Sequence, residues 1–136
     1  MSASRILVQK FGGTSVSTPG RRLQAVAHVR RARADGYQVA IVVSAMGRRG
    51  DPYATDTLLD LLRSDGGPVA PDDYDLIFAC GEAISVAVMS QALKRAGIPA
   101  TGLTAAQAGI YSDAVHLEAN LEHIDTTHKV LCAATG

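Results

Sequence analysis

The run Val39-Ala40-Ile41-Val42-Val43 constrains the fold more than any other stretch of this chain. Four of the five residues are β-branched, and none offers a polar side chain to solvent. A short apolar run without alternation predicts a strand covered on both faces, as in a parallel sheet. Parallel neighbours need a long crossover between them. The preceding residues supply one. Ile6-Leu7-Val8 opens a strand that ends at Lys10-Phe11, and Gly12-Gly13-Thr14-Ser15 follows as a turn. Ser17 or Thr18 caps a helix, Pro19 sits in its first turn, and Gly36 ends it after Ala34.

Beyond that unit the pattern predicts helices over residues 55–63 and 72–96, the second stopped by Gly97 and Pro99. Short strands are expected over 100–103, 110–112 and 121–124. A last helix is expected from Thr126 or Thr127 to about Ala134. Residues 64–71 are polar and rich in Gly and Pro, which predicts a mobile surface loop. The fold class is therefore α/β, a mostly parallel sheet sandwiched between helices. In such a fold a helix packs back on the sheet it left and feeds another strand. The chain stops at a helix cap, so the pattern expects a continuation after Gly136.

Composition narrows the function. With 136 residues, 47 % hydrophobic and 19 % charged, the chain supports a packed core rather than disorder. No apolar run is expected to approach the ~18 residues of a membrane span, and the N-terminus lacks the long apolar stretch of a signal peptide. Two distant cysteines, Cys80 and Cys132, fit neither a disulfide scaffold nor a four-cysteine zinc site, and a cytoplasmic location is expected. Net charge is zero, yet residues 1–63 hold ten of the 13 basic and four of the 13 acidic residues. That asymmetry suggests an anionic partner for this half, phosphates or nucleic acid. Arg21, Arg22, Arg30, Arg31 and Arg33 flank an apolar stripe of Leu23, Val26 and Val29, which reads as a solvated helix face. Without Trp, and with four Tyr and two Phe, stacking surfaces for nucleic acid are few. His123 and His128 lack cysteine partners at ligand spacing, so no protein-held metal is expected.

Ligands of parallel α/β sheets sit at the carboxyl ends of strands. The first such end presents Lys10, Gly12, Gly13, Thr14 and Ser15. Glycines admit phosphate oxygens to backbone amides, and lysine adds a point charge. An ordinary strand-to-helix turn has the same look. The second end presents Ser44 and Gly47, where the hydroxyl either binds a substrate carboxylate or caps a turn. Glu82 lies in Leu76-Ile77-Phe78-Ala79-Cys80-Gly81-Glu82-Ala83-Ile84, where nearly every neighbour is apolar. A helix apolar all round is expected to be buried. A buried carboxylate needs a cation, from a ligand ammonium or from an internal salt bridge. Ser85 is expected to share its face.

Lys10 to Val16, read as Lys-Phe-Gly-Gly-Thr-Ser-Val, resembles the N-terminal signature of aspartokinases in the amino acid kinase superfamily. Val42-Val43-Ser44-Ala45-Met46-Gly47, Cys80-Gly81-Glu82-Ala83-Ile84-Ser85 and Thr104-Ala105-Ala106-Gln107-Ala108-Gly109 resemble further stretches of that family in order and spacing. Gly50-Asp51-Pro52-Tyr53-Ala54-Thr55-Asp56 resembles an insertion of one subgroup. The resemblance implies transfer of the ATP γ-phosphoryl group to the side-chain carboxylate of L-aspartate, the first step towards lysine, threonine and methionine. It implies Mg²⁺ carried mainly by the ATP phosphates. Lys10 would steady the transferring phosphoryl, and Gly12, Gly13 and Ser15 would bind phosphate oxygens. Ser44, Thr55 and Glu82 would hold aspartate, with Glu82 on its ammonium group. The Thr55 assignment depends on how the insertion is aligned.

The family's kinase domain is longer than this chain. Its Gly-Gly-Ser-Asp and Thr-Ala-Asp-Pro segments have no counterpart here. Residues 1–136 thus correspond to the N-terminal, amino-acid-binding half, expected to be inactive alone and to associate with itself or a partner through an exposed sheet edge. The alternatives are a non-catalytic fragment serving as a ligand-binding or interaction module, and a related kinase acting on glutamate or a carbamate.

Overall fold

The computed structural model describes residues 5–127. Strand β1 (Arg5–Phe11) leads into a single helical turn, α1 (Gly13–Val16), and then helix α2 (Pro19–Ala34). Strand β2 (Tyr37–Val43), helix α3 (Thr55–Leu62) and the 25-residue helix α4 (Pro71–Arg95) follow. Strands β3 (Ile110–Ser112) and β4 (Leu121–Ile124) close the described chain. The expected C-terminal helix lies outside the described residues.

β1 and β2 pair in parallel from Arg5 against Tyr37 to Phe11 against Val43. The crossover is α1 plus α2, and its caps are those the sequence announces. The Thr18 side chain accepts from the Arg21 amide at 3.3 Å, Pro19 opens α2, and Gly36 follows it at φ +85°. Val16, Ala25, Val26, Val29, Met46, Met89, Leu93 and Ile98 form the core, with Phe11, Val39, Ile41 and Val43 packed on it. Full burial of one such aliphatic side chain contributes about 1.5–3 kcal/mol. α2 buries Ala25, Val26, Val29 and Ala32. The expected stripe is thus shifted, and Leu23 is 66 % exposed. The buried face of α2 runs through Ala25, Val26, Val29 and Ala32, and Leu23 lies off it.

Two expectations fail on the sheet. Residues 100–103 form no strand. This segment lies against α4 instead, where a Cβ on Gly102 would stand 2.8 Å from Val86 Cγ1. Among the described residues the β2 run is also covered on one face only. Exposure alternates along both paired strands, so Leu7, Phe11, Val39, Ile41 and Val43 turn inward while Ile6, Val8, Ala40 and Val42 face out. β3 and β4 make a separate antiparallel pair. Gly109 at φ +76° permits that pairing, since its Cβ would meet the Asp125 carbonyl at 2.4 Å.

By length and composition α4 could span a membrane, with a mean hydropathy of 1.7 over its most apolar window. Here it packs against α1, α2, α3 and β2. That window is 28 % buried among the described residues.

Candidate functional site

The site is assembled where β1 and β2 end. After Phe11 the chain enters α1 through Gly12, whose backbone is extended (φ −66°, ψ 161°). The Ser15 amide donates to the Gly12 carbonyl at 2.8 Å, closing the turn. The Ser44 amide donates to the Phe11 carbonyl at 3.3 Å, which ties the two strand ends together just beyond the ladder. The two glycines then differ in purpose. A Cβ on Gly13 would stand 2.1 Å from the Ala45 carbonyl oxygen, so Gly13 exists to let the two strand-end loops touch. A Cβ on Gly12 would meet nothing within 4 Å, and that surface stays open.

The loop after β2 is folded back onto α3. Gly47 at φ +95° accommodates the Tyr53 ring, whose Cε2 lies 2.8 Å from where a Cβ would be. The Arg48 amide donates to Asp51 Oδ2 at 2.9 Å, and the Gly50 amide donates to Thr57 Oγ1 at 3.1 Å. Thr55 therefore starts α3 directly against α4. Gly81 makes this possible: a Cβ there would lie 3.1 Å from Thr55 Oγ1 and 3.3 Å from Ala45 Cβ. The glycine beside Glu82 thus notches α4 to receive the start of α3 and the loop that follows β2.

The result is an open cleft of about 360 Å³. Ser44, Thr55 and Glu82 all line it, together with Ala45, Met46, Gly47, Asp56 and Phe78. Three positions assigned to one substrate, far apart in sequence, thus share one cavity. Lys10, Gly12 and Ser15 do not line this cleft. They stand at the adjoining strand end, which touches the cleft wall through Gly13 and Ala45. Lys10 and Ser15 are exposed.

Glu82 departs from expectation. It is exposed at the cleft, not buried. Its neighbours are apolar in sequence, yet the described residues cover α4 on one side only, leaving Leu76, Phe78 and Cys80 accessible. Ser85 does not share its face. It lies 1 % exposed with Gly81 and Met89 along the buried stripe, and its hydroxyl has no partner among the described residues. Asp56 and Phe78 join the cleft although neither is a candidate from sequence, and position alone signals both. Asp56 follows Thr55, and Phe78 precedes Glu82 by one helical turn.

The Thr104–Gly109 motif is elsewhere. Gln107 Oε1 accepts from the Thr104 amide at 2.9 Å, closing a turn on the far side of α4. Ser90, Lys94, Gly102, Thr104 and Gln107 border a second open hollow there. Asp113 closes the β3–β4 connection by accepting from the Asn120 side chain at 2.8 Å and from the Val115 and Asn120 amides. These donors, the Asn120 side chain first, hold its carboxyl below the ordinary value of 3.8. Among the described residues no group of three or more His, Cys, Asp or Glu side chains is placed to hold a metal ion.

The sequence model of the Amino acid kinase family matches residues 5–130. The chain belongs to the amino acid kinase family. Within it the chain is similar to Aspartokinase 1 of Bacillus subtilis, at 48 % identity over 117 residues, covering 86 % of this chain and 29 % of that protein. It is similar to the aspartokinase of Pseudomonas aeruginosa, at 37 % identity over 123 residues, covering 90 % of this chain and 29 % of that one. Its fold matches the crystal structure of aspartate kinase from Synechocystis with a TM-score of 0.77 and 32 % identity, over 93 % of this chain and 20 % of that chain. The chain therefore spans about three tenths of the curated relatives it matches, 29 % in each of these two. As a member of the amino acid kinase family it carries that family's parallel α/β arrangement in β1, α1, α2 and β2, with α3 and α4 beside them.

Proposed function

We propose that this chain forms the amino-acid-binding part of a kinase that phosphorylates the side-chain carboxylate of L-aspartate. The observation that carries the reading is the convergence of Ser44, Thr55 and Glu82 on one cleft beside the Gly12–Ser15 turn. Among the described residues the cleft is lined by two carboxylates, Asp56 and Glu82, and by no Lys or Arg. Its charge suits a ligand's ammonium group, which Glu82 takes. The Ser44 and Thr55 hydroxyls supply hydrogen bonds to the rest of the amino acid.

The acceptor carboxylate is already a nucleophile, so the reaction asks for alignment and charge neutralisation rather than a general base. Lys10 neutralises charge on the transferring phosphoryl group. The open surface at Gly12 and the exposed Ser15 hydroxyl suit phosphate oxygens of ATP. Mg²⁺ enters on those phosphates, and the reaction takes place in the cytoplasm. With 29 % of the length of Aspartokinase 1, the chain alone is expected to show little or no turnover.

The test is binding first, turnover second. L-Aspartate should perturb Ser44, Thr55 and Glu82 in the chain, and Glu82→Ala should remove the response. Aspartate-dependent ADP formation by the chain alone separates a complete enzyme from a binding module. Robust turnover contradicts the half-site account. Absent turnover with intact aspartate binding supports it.

A further inference from the structure

The single turn α1 should not hold by itself. Four residues cannot repay helix nucleation, which fixes several backbone angles for one hydrogen bond. Gly12 has no side chain to cap its start, and the last carbonyls of a helix have no partner within it. The structure shows what holds it. Arg21 Nη1 donates to the Thr14 carbonyl at 2.5 Å, and Ser17 Oγ donates to the same oxygen at 3.1 Å. Arg22 Nη1 donates to the Val16 carbonyl at 2.8 Å. Val16 itself is 1 % exposed in the core. Guanidinium groups bonded to terminal carbonyls both satisfy them and oppose the negative end of the turn.

The arginines are themselves fixed. The Arg21 amide caps onto Thr18 Oγ1 at 3.3 Å, and the Arg22 amide donates to the Thr18 carbonyl at 3.0 Å. Both side chains therefore reach back from the first turn of a 16-residue helix. A helix that long is a rigid anchor for a short turn.

We infer that Arg21 and Arg22 are positioning residues, a two-pronged clamp from α2 that holds the Gly12–Ser15 turn in the shape the phosphoryl donor requires. Neither guanidinium is assigned to touch the ligand. They act through the carbonyls of Thr14 and Val16, setting where the Ser15 hydroxyl and the open Gly12 surface stand. The basic face of α2, read from sequence as solvated charge, thus contains two arginines with a separate task. The inference rests on the proposed phosphate role of this turn, and its test has one arm independent of that role.

The test uses the 136-residue chain, labelled with ¹⁵N. Amide hydrogen exchange reads the turn directly, and titration with inorganic tripolyphosphate reads its response to a phosphate chain. Arg21→Ala with Arg22→Ala should speed exchange at Ser15 at least tenfold while β2 and the middle of α2 stay unchanged. The same variant should weaken the tripolyphosphate response at Lys10 to Ser15 about tenfold. Arg21→Lys with Arg22→Lys should recover part of both, because an ammonium can still donate to a carbonyl. Unchanged exchange in the alanine variant overturns the clamp. So does faster exchange spread evenly over α2, which marks ordinary loss of stability. If the unaltered chain ignores tripolyphosphate, the phosphate role fails, and the exchange arm still decides the clamp.

Discussion

Gly12 and Gly13 look interchangeable in the sequence and are not interchangeable in the structure. The missing side chain of Gly13 is occupied by a backbone carbonyl, that of Ala45, at a distance no methyl group tolerates. Gly13→Ala must push the two strand-end loops apart. Overpacking of this kind costs about 1–3 kcal/mol, and urea unfolding measures it. Gly12→Ala should stay within about 0.5 kcal/mol of the unaltered chain, as open sites do. A larger loss from Gly12→Ala than from Gly13→Ala contradicts the assignment. Residue types at the cleft were legible because Ser44, Thr55 and Glu82 fall within motif-like stretches. Burial was not: the exposure of Glu82 depends on which side of α4 is covered, and no local pattern reports that.

At the scale of elements, legibility followed length and caps. β1, α2, α3, α4, β3 and β4 appear where periodicity and turn residues place them, to within a residue or so at the ends. α1 was read as a turn, because four residues carry no period and its support comes from side chains seven and eight positions after Thr14. The 100–103 segment holds one β-branched residue, Thr101, and a glycine that lies close to Val86 and Ser90 of α4, so it joins no ladder. The β3–β4 connection adds a pH dependence. Asp113 has a folded value held below 3.8 by its donors. Its contribution is therefore present above the unfolded value and lost as pH falls through the lower folded one. Acid titration below about pH 4 should release the 113–120 loop, seen as faster exchange of the Val115 and Asn120 amides. Asp113→Asn should abolish that acid step. An acid step of the same size in the variant contradicts this account.

For the whole molecule, the uncovered face of the β1–β2 pair is the chief consequence. Ile6 and Val8 are each 63 % exposed and Val42 49 %, on strands whose sequence is suited to cover on both sides. Exposed apolar strands with open edges associate. Light scattering should therefore show self-association of the chain, reduced by Val8→Lys. A clean monomer at high concentration contradicts it. This is also the physical source of the failed expectation for β2: the apolar run records a cover that residues 5–127 do not provide.

The proposed role of the cleft between β2, α3 and α4 is to hold the ammonium end of L-aspartate on Glu82. Titration of L-aspartate into the ¹⁵N-labelled chain tests it most directly, with N-acetyl-L-aspartate as the control that lacks the ammonium charge. Saturable shifts are expected at Ser44, Thr55 and Glu82 with L-aspartate. None is expected with the acetylated control, and none with either ligand in Glu82→Ala. Equal shifts from both ligands, or an unchanged response in Glu82→Ala, would contradict it.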